Sequence, residues 1–101
     1  MKYGLKQEVI EGITNAFQKV KTIEKVVLYG SRAKGNYRNG SDIDIVLFGK
    51  NLTLDNSVYP LMEELEELYL PYSFDISIFN HIDNENLIEH INSIGKTIFV
   101  N

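Results

Sequence analysis

An α/β (α+β) domain, with a mixed sheet of about four strands flanked by helices, is the architecture this sequence predicts. Three observations carry it. Short apolar runs of strand length recur at Lys25 to Tyr29, Asp42 to Phe48, Ser73 to Phe79 and Lys96 to Val100. Between and before them lie segments with apolar residues at helical spacing. The order helix, strand, loop, strand, helix, strand, helix, strand then gives layers of helix on sheet in one domain spanning residues 1–101.

Residues 5 to 20 place Leu5, Val9, Ile13, Phe17 and Val20 on one stripe with polar residues between, the pattern of an amphipathic helix lying on a sheet. Val26-Val27-Leu28-Tyr29 reads as a short buried strand that stops at Gly30. In the next strand, Ile43, Ile45 and Leu47 form an apolar face. The opposite face starts with Asp42 and Asp44 and turns apolar at Val46 and Phe48, so the carboxylates sit at the strand's entry end.

Residues 50 to 57 read as a polar connection. A helix follows to about Tyr69, with Pro60 in its first turn and Val58, Leu61, Met62, Leu65 and Leu68 as the buried stripe. Glu63, Glu64, Glu66 and Glu67 form its solvated face. Pro71 closes it. In the third strand Phe74, Ile76 and Ile78 share one side and Asp75, Ser77 and Phe79 the other. A strand, helix, strand unit of this length makes the second and third strands parallel neighbours through a right-handed crossover. Asp75 then faces the same way as Asp42 and Asp44. Asn84 is the expected N-cap of the last helix, with Leu87, Ile88, Ile91 and Ile94 as its apolar stripe and Gly95 as its end.

Composition narrows the function classes. With 44% hydrophobic and 24% charged residues the chain is an ordinary globular domain. No stretch approaches the roughly 20 apolar residues of a membrane span, and residues 1 to 4 lack a signal-peptide pattern. Zero cysteines exclude disulfides and thiolate metal sites, and a cytoplasmic location is expected. A net charge of −4 argues against broad binding to a nucleic-acid backbone. Between Ser31 and Ser41, however, the charges are Arg32, Lys34 and Arg38 with no acid among them, a local patch suited to a small anionic ligand.

That patch lies in the stretch from Gly30 to Asp44. Gly30 permits a sharp turn out of the strand, and Ser31 stands where a helix would begin, so a hydroxyl and unpaired N–H groups meet there beside Arg32 and Lys34. Ten residues separate Ser31 from Asp42, and Asp44 follows on the same strand face. Two hard oxygen ligands next to a phosphate cradle meet the requirement for holding Mg²⁺ against a nucleoside triphosphate. Two other phosphate motifs fail on spacing. Asn36-Tyr37 stand where the P-loop needs Lys and Ser/Thr, and Arg32 occupies the second glycine of the dinucleotide pattern. His81 and His90 have no second histidine at metal-ligand spacing and read as ordinary surface residues.

With Gly30-Ser31, Asp42-Ile43-Asp44 and the third carboxylate Asp75 in place, the sequence resembles the polymerase-beta-like nucleotidyltransferase superfamily, and within it the minimal nucleotidyltransferase (MNT) domains that serve as antitoxins of HEPN/MNT pairs. Arg32-Ala33-Lys34-Gly35, Ser41 and Ile94-Gly95-Lys96-Thr97-Ile98-Phe99 also look like the family pattern. Lys34 departs from it mildly, since an arginine is usual there; lysine keeps the charge without the bidentate fork. The resemblance implies the polymerase-beta-like fold, two Mg²⁺ ions, and ATP as donor. Asp42, Asp44 and Asp75 are then both metal ligands and catalytic groups. Asp75 belongs to the metal nearest the acceptor hydroxyl and is placed to receive its proton. Gly30 and Ser31 hold the β/γ-phosphates, supported by Arg32 and Lys34, with Ser41 completing the nucleotide-binding set. Two metals roughly 3.5–4 Å apart suit an in-line displacement of pyrophosphate.

Family members of this kind transfer AMP onto a tyrosine of a HEPN ribonuclease toxin, so a HEPN partner is expected. Neither direct nucleic-acid binding nor membrane association is expected, and self-association is left open. A domain of 101 residues has little room for an acceptor-binding subdomain of its own. Two other classes stay in view. One is an interaction module that neutralises a partner by binding alone, and the other is a small-molecule transferase of the antibiotic-modifying type.

Overall fold

In the computed structural model, which describes residues 1–101, the four apolar runs form one sheet of order β3-β2-β1-β4. Its strands are β1 (Lys25–Tyr29), β2 (Ile43–Phe48), β3 (Phe74–Ile78) and β4 (Lys96–Val100). β1 runs antiparallel to both β2 and β4, and β2 is parallel to β3. The sheet is therefore mixed, with the parallel pair made by the expected helical crossover.

Helices α1 (Gln7–Lys19), α2 (Gly30–Lys34), α3 (Tyr59–Glu66) and α4 (Glu85–Ile94) complete the domain. No helix is long and apolar enough to cross a membrane. The alternation of the strands assigns each helix a face. Val26, Leu28, Ile43, Ile45, Leu47 and Ile78 point to one side, where Ile13 and Phe17 of α1 and Leu61 and Leu65 of α3 close over them. Val27, Tyr29 and Val46 point to the other, where Ile91 of α4 packs on them. α2 is too short to cover either face; it turns the chain at the end of β1.

The boundaries differ from the sequence reading where local chemistry decides them. α1 starts at Gln7 because residues 2 to 5 fold back on themselves, with Lys2 and Leu5 exchanging both backbone hydrogen bonds. Asp42 lies just before β2, whose ladder begins at Ile43, so Asp42 belongs to the loop and not to the strand. The polar connection is more ordered than predicted. Thr53 and Asn56 form a reciprocal capping box that starts a π-helical turn over Leu54–Val58, ahead of α3. Ser57, fully buried, ties this turn to the connection between α1 and β1 through the Thr22 hydroxyl at 2.7 Å. The helix ends at Glu66 and not at Tyr69, whose φ of +51° cannot continue a helix. Met62 is exposed and lies outside the buried stripe. Asn84 caps α4 as expected, its side chain accepting the Leu87 N–H at 3.1 Å.

Candidate functional site

β1 ends at Tyr29, and the chain must reverse its course within one residue to enter α2. Gly30 makes that turn at φ +74°, a conformation that disfavours any side chain. The backbone there also passes so close to Asp44 that a Cβ on Gly30 would run into the Asp44 carboxylate. Glycine is thus required twice, once for the dihedral angle and once for the approach. α2 ends as tightly as it starts: Gly35, at φ +97°, donates its N–H to the Ser31 carbonyl at 2.8 Å.

The strand register builds the floor. Tyr29 is opposite Asp44 across β1 and β2, and Asp44 is opposite Asp75 across β2 and β3. A phenol and two carboxylates therefore follow one another across three strands on the face that carries α4. Asp42 approaches from the loop two residues before Asp44. Asp42 and Asp75 are exposed, whereas Asp44 is half-buried. Burial raises the Asp44 pKa above the ordinary carboxylate value, and the charges of Asp75 and then Asp42 raise it further; His90 and Arg32 act in the opposite direction. Burial likewise raises the Tyr29 phenol, with the nearby Ser77 hydroxyl opposing and the charges of Asp75 and Asp44 adding to the rise.

The site thus gathers Gly30, Ser31, Asp42, Asp44 and Asp75 at one end of the sheet. The carboxylates do not stand as a closed ligand cage: no three acidic or histidine side chains lie close enough together to hold an ion as they are oriented. Burial first, and the charges of Asp75 and Asp42 after it, make the Asp44 anion costly in this position. Three hard oxygen donors, one of them partly desolvated and destabilised as an anion, fit a divalent cation of the Mg²⁺ type.

The basic loop divides into two parts. Lys34 is exposed on α2. Arg32 does not lie open to a phosphate, as the sequence suggested, and this expectation is corrected. It is only 3% exposed. Its Nε and one terminal nitrogen donate to the Ser41 carbonyl at 3.1 and 2.8 Å, and the other terminal nitrogen donates to the Tyr3 carbonyl at 3.0 Å. The rings of Tyr72 and Tyr37 lie 5.0 and 5.5 Å from its guanidinium. Ser41 is the other half of this clamp: its carbonyl takes Arg32 and its hydroxyl takes the Arg38 N–H at 2.8 Å. The pair fixes the return of the loop into β2, which sets where Asp42 and Asp44 emerge.

His90 is the residue that the sequence reading passed over. It reaches from α4 to accept the Gly30 N–H on Nε2 at 3.1 Å and meets the Tyr29 ring edge-on. Spacing alone could not reveal this, because the contact joins residues 60 apart. The helical phase of α4 held a partial signal. His90 precedes the buried Ile91 and follows Leu87 by three, on the edge of the stripe that faces the sheet.

A glycine turn pressed against a carboxylate floor, entered from an antiparallel strand and joined by a parallel neighbour that brings a further acid, defines the class of nucleotidyl-transfer folds. The comparisons place the chain within it. Residues 11–101 match the family model described as polymerase beta, nucleotidyltransferase, and the chain belongs to that family. No curated protein matches the sequence. Among solved structures, a chain in the crystal structure of a toxin-antitoxin with AMP-PNP superposes with a TM-score of 0.71 at 17% identity, covering 91% of this chain and 73% of that one. A chain in the complex of tri-AMPylated Shewanella oneidensis HEPN toxin with MNT antitoxin gives a TM-score of 0.68 at 15% identity, covering 96% and 74%. A proposed nucleotidyltransferase from Sulfolobus solfataricus gives 0.54 at 18% identity, covering 97% and 92%. These likenesses confirm the fold.

Proposed function

We propose that this chain is an Mg²⁺-dependent nucleotidyltransferase that moves AMP from ATP onto a tyrosine hydroxyl of a HEPN-type partner, and so acts as the antitoxin of a toxin-antitoxin pair. The observation that carries the reading is the contact of the Gly30 turn with Asp44, in register with Asp75. Support for the donor comes from the AMP-PNP in one structural neighbour, and for the acceptor from the AMPylated HEPN toxin in another.

The chemistry is a displacement at the α-phosphorus. The acceptor oxygen forms a bond to that phosphorus, the bond to the oxygen bridging the α- and β-phosphorus breaks, and pyrophosphate leaves. Asp75, exposed on the rim, receives the proton of the acceptor hydroxyl. Asp42 and Asp44 would hold the cation, which supplies neutralisation of the triphosphate and activation of the acceptor when bound. Ser31 receives the β/γ-phosphates at the turn that Gly30 makes, and the Arg32–Ser41 clamp keeps the two halves of the site in register. Exposed Lys34 supplies positive charge beside the phosphates.

The test is incubation of the chain with Mg²⁺, ATP and its HEPN partner, followed by intact-mass measurement of the partner. A gain of one or more AMP units is expected, lost in Asp42→Ala and in Asp44→Ala. Wild-type transfer by both variants would remove the assigned roles.

One observation favours a second reading, neutralisation by binding alone. An open groove of about 380 Å³ between α3 and β3 is lined by Met62, Leu65, Tyr69, Leu70, Tyr72 and Phe74, with Met62 42% and Tyr69 90% exposed. Neutralisation of the partner that survives loss of both Asp42 and Asp44 would establish that reading.

A further inference from the structure

The Gly30 N–H lies at the point where the chain leaves β1, beyond the last register pair of β1 and β2, so the sheet offers it no partner. A side chain supplies one: His90 Nε2 accepts it at 3.1 Å. The ring is held from two directions. Its edge-on contact with Tyr29 has centroids 6.1 Å apart at 80°, and the neighbouring Ile91 anchors α4 against Val27, Tyr29 and Val46. A rigid helix thus delivers a hydrogen-bond acceptor to the one residue whose backbone the carboxylate floor cannot crowd further.

We infer that His90 is a positioning residue for nucleotide binding, acting through the Gly30 amide. The inference rests on the reading of the Gly30 to Asp44 stretch as the nucleotide site. Because Gly30 fixes the direction in which Ser31 leaves the strand, the acceptor on α4 sets the geometry of the phosphate turn from 60 residues away. It also withholds the Gly30 N–H from the triphosphate, which leaves Ser31 as the first phosphate-binding group of the turn.

Two substitutions separate the acceptor from the ring. His90→Phe keeps an aromatic edge for Tyr29 and has no acceptor; His90→Gln has an acceptor and no ring. ATP affinity in the presence of Mg²⁺ is measured by calorimetry on the full chain, Tm alongside it, and KM and kcat with the HEPN partner. The expected result is ATP binding weakened about 3- to 10-fold in His90→Phe, the range of one hydrogen bond, with most of it restored in His90→Gln. KM for ATP should rise in parallel while kcat stays near wild type. ATP affinity unchanged in His90→Phe overturns the inference and leaves the nucleotide site standing. Equal weakening in both variants also overturns it, since ring packing and not the acceptor would then be the cause. Failure of the wild type to bind ATP overturns the nucleotide-site reading and this inference with it.

Discussion

The two faces of the sheet are made by the same four strands, yet they are built on different terms. On the face covered by α1 and α3, the inward positions of β1, β2 and β3 are apolar, and Leu28, Ile43, Ile45 and Leu47 are sealed from solvent. On the face covered by α4 the apolar floor stops halfway. Val27 and Val46 lie under Ile91, and one step further along the strands the register delivers Tyr29, Asp44 and Asp75 instead. One face can give up this continuity because the other supplies enough burial to fold the domain. The difference teaches where stability and chemistry are separately located in a 101-residue chain.

The most forceful way to break the comparison is on the sealed face. Phe17→Ala removes a side chain that is 1% exposed and packs against Phe99 with the rings tilted by 55° and centroids 5.6 Å apart. A loss of about 3–5 kcal/mol in unfolding free energy is expected from lost transfer and the cavity left behind. Denaturant unfolding checks it. ATP affinity of the molecules that remain folded should match the wild type, because Phe17 packs on the face of the sheet opposite the one that carries Tyr29, Asp44 and Asp75.

Gly30→Ala tests the other face. Here the expected destabilisation is smaller, about 1–2 kcal/mol for forcing a side chain into the left-handed region. The effect on transfer is larger, on the order of 10²-fold, because the new Cβ must push Asp44 or the turn out of place. Transfer rate and Tm measured on the same variant decide the matter. A rate close to wild type would mean that the Gly30–Asp44 approach is incidental.

Much of this division was legible before any coordinates. Period-two alternation named both faces of β2 and β3, and the in-phase placement of Asp44 and Asp75 followed from the crossover rule, since strand alternation and parallel pairing are local consequences of backbone geometry. Arg32 and His90 were misread for one reason. Each is defined by a partner distant in sequence, Tyr3 and Ser41 for the arginine and Gly30 for the histidine, and composition cannot report which way a polar side chain turns. Met62 failed for a related reason. A helical stripe wide enough to include it is wider than the sheet beneath α3, so its side chain opens into a groove instead.

The basic loop sharpens the comparison at intermediate scale. Arg32→Met removes three donated hydrogen bonds from a buried site while keeping a long apolar stem. It should cost about 1.5–3 kcal/mol, the range of hydrogen bonds to charged groups. Lys34→Ala, on the exposed side of the same helix, should stay within about 0.5 kcal/mol of wild type. Parallel thermal melts of the two variants give the contrast. Equal effects would show that the loop is held by its charge in general and not by the clamp.

The smallest expected effect is the most specific to the carboxylate floor. Burial, then the charges of Asp75 and Asp42, raise the Asp44 pKa in the folded chain above its unfolded value of 3.8. Between those two values the folded state binds the extra proton, so unfolding free energy falls as pH rises through the window and the stabilisation present in acid is lost toward neutrality. In the metal-free protein Asp44→Asn should therefore flatten this part of the pH–stability curve and raise Tm slightly at neutral pH. The wild type should gain Tm there when Mg²⁺ is added, because a cation offsets the repulsion that the substitution removes. Asp75→Asn offers the control: it removes only one of the neighbouring charges, so part of the slope should persist. A curve for Asp44→Asn that superposes on the wild type would show that neither burial nor the neighbouring charges make the Asp44 anion costly, and that face would then differ from the sealed one in composition alone.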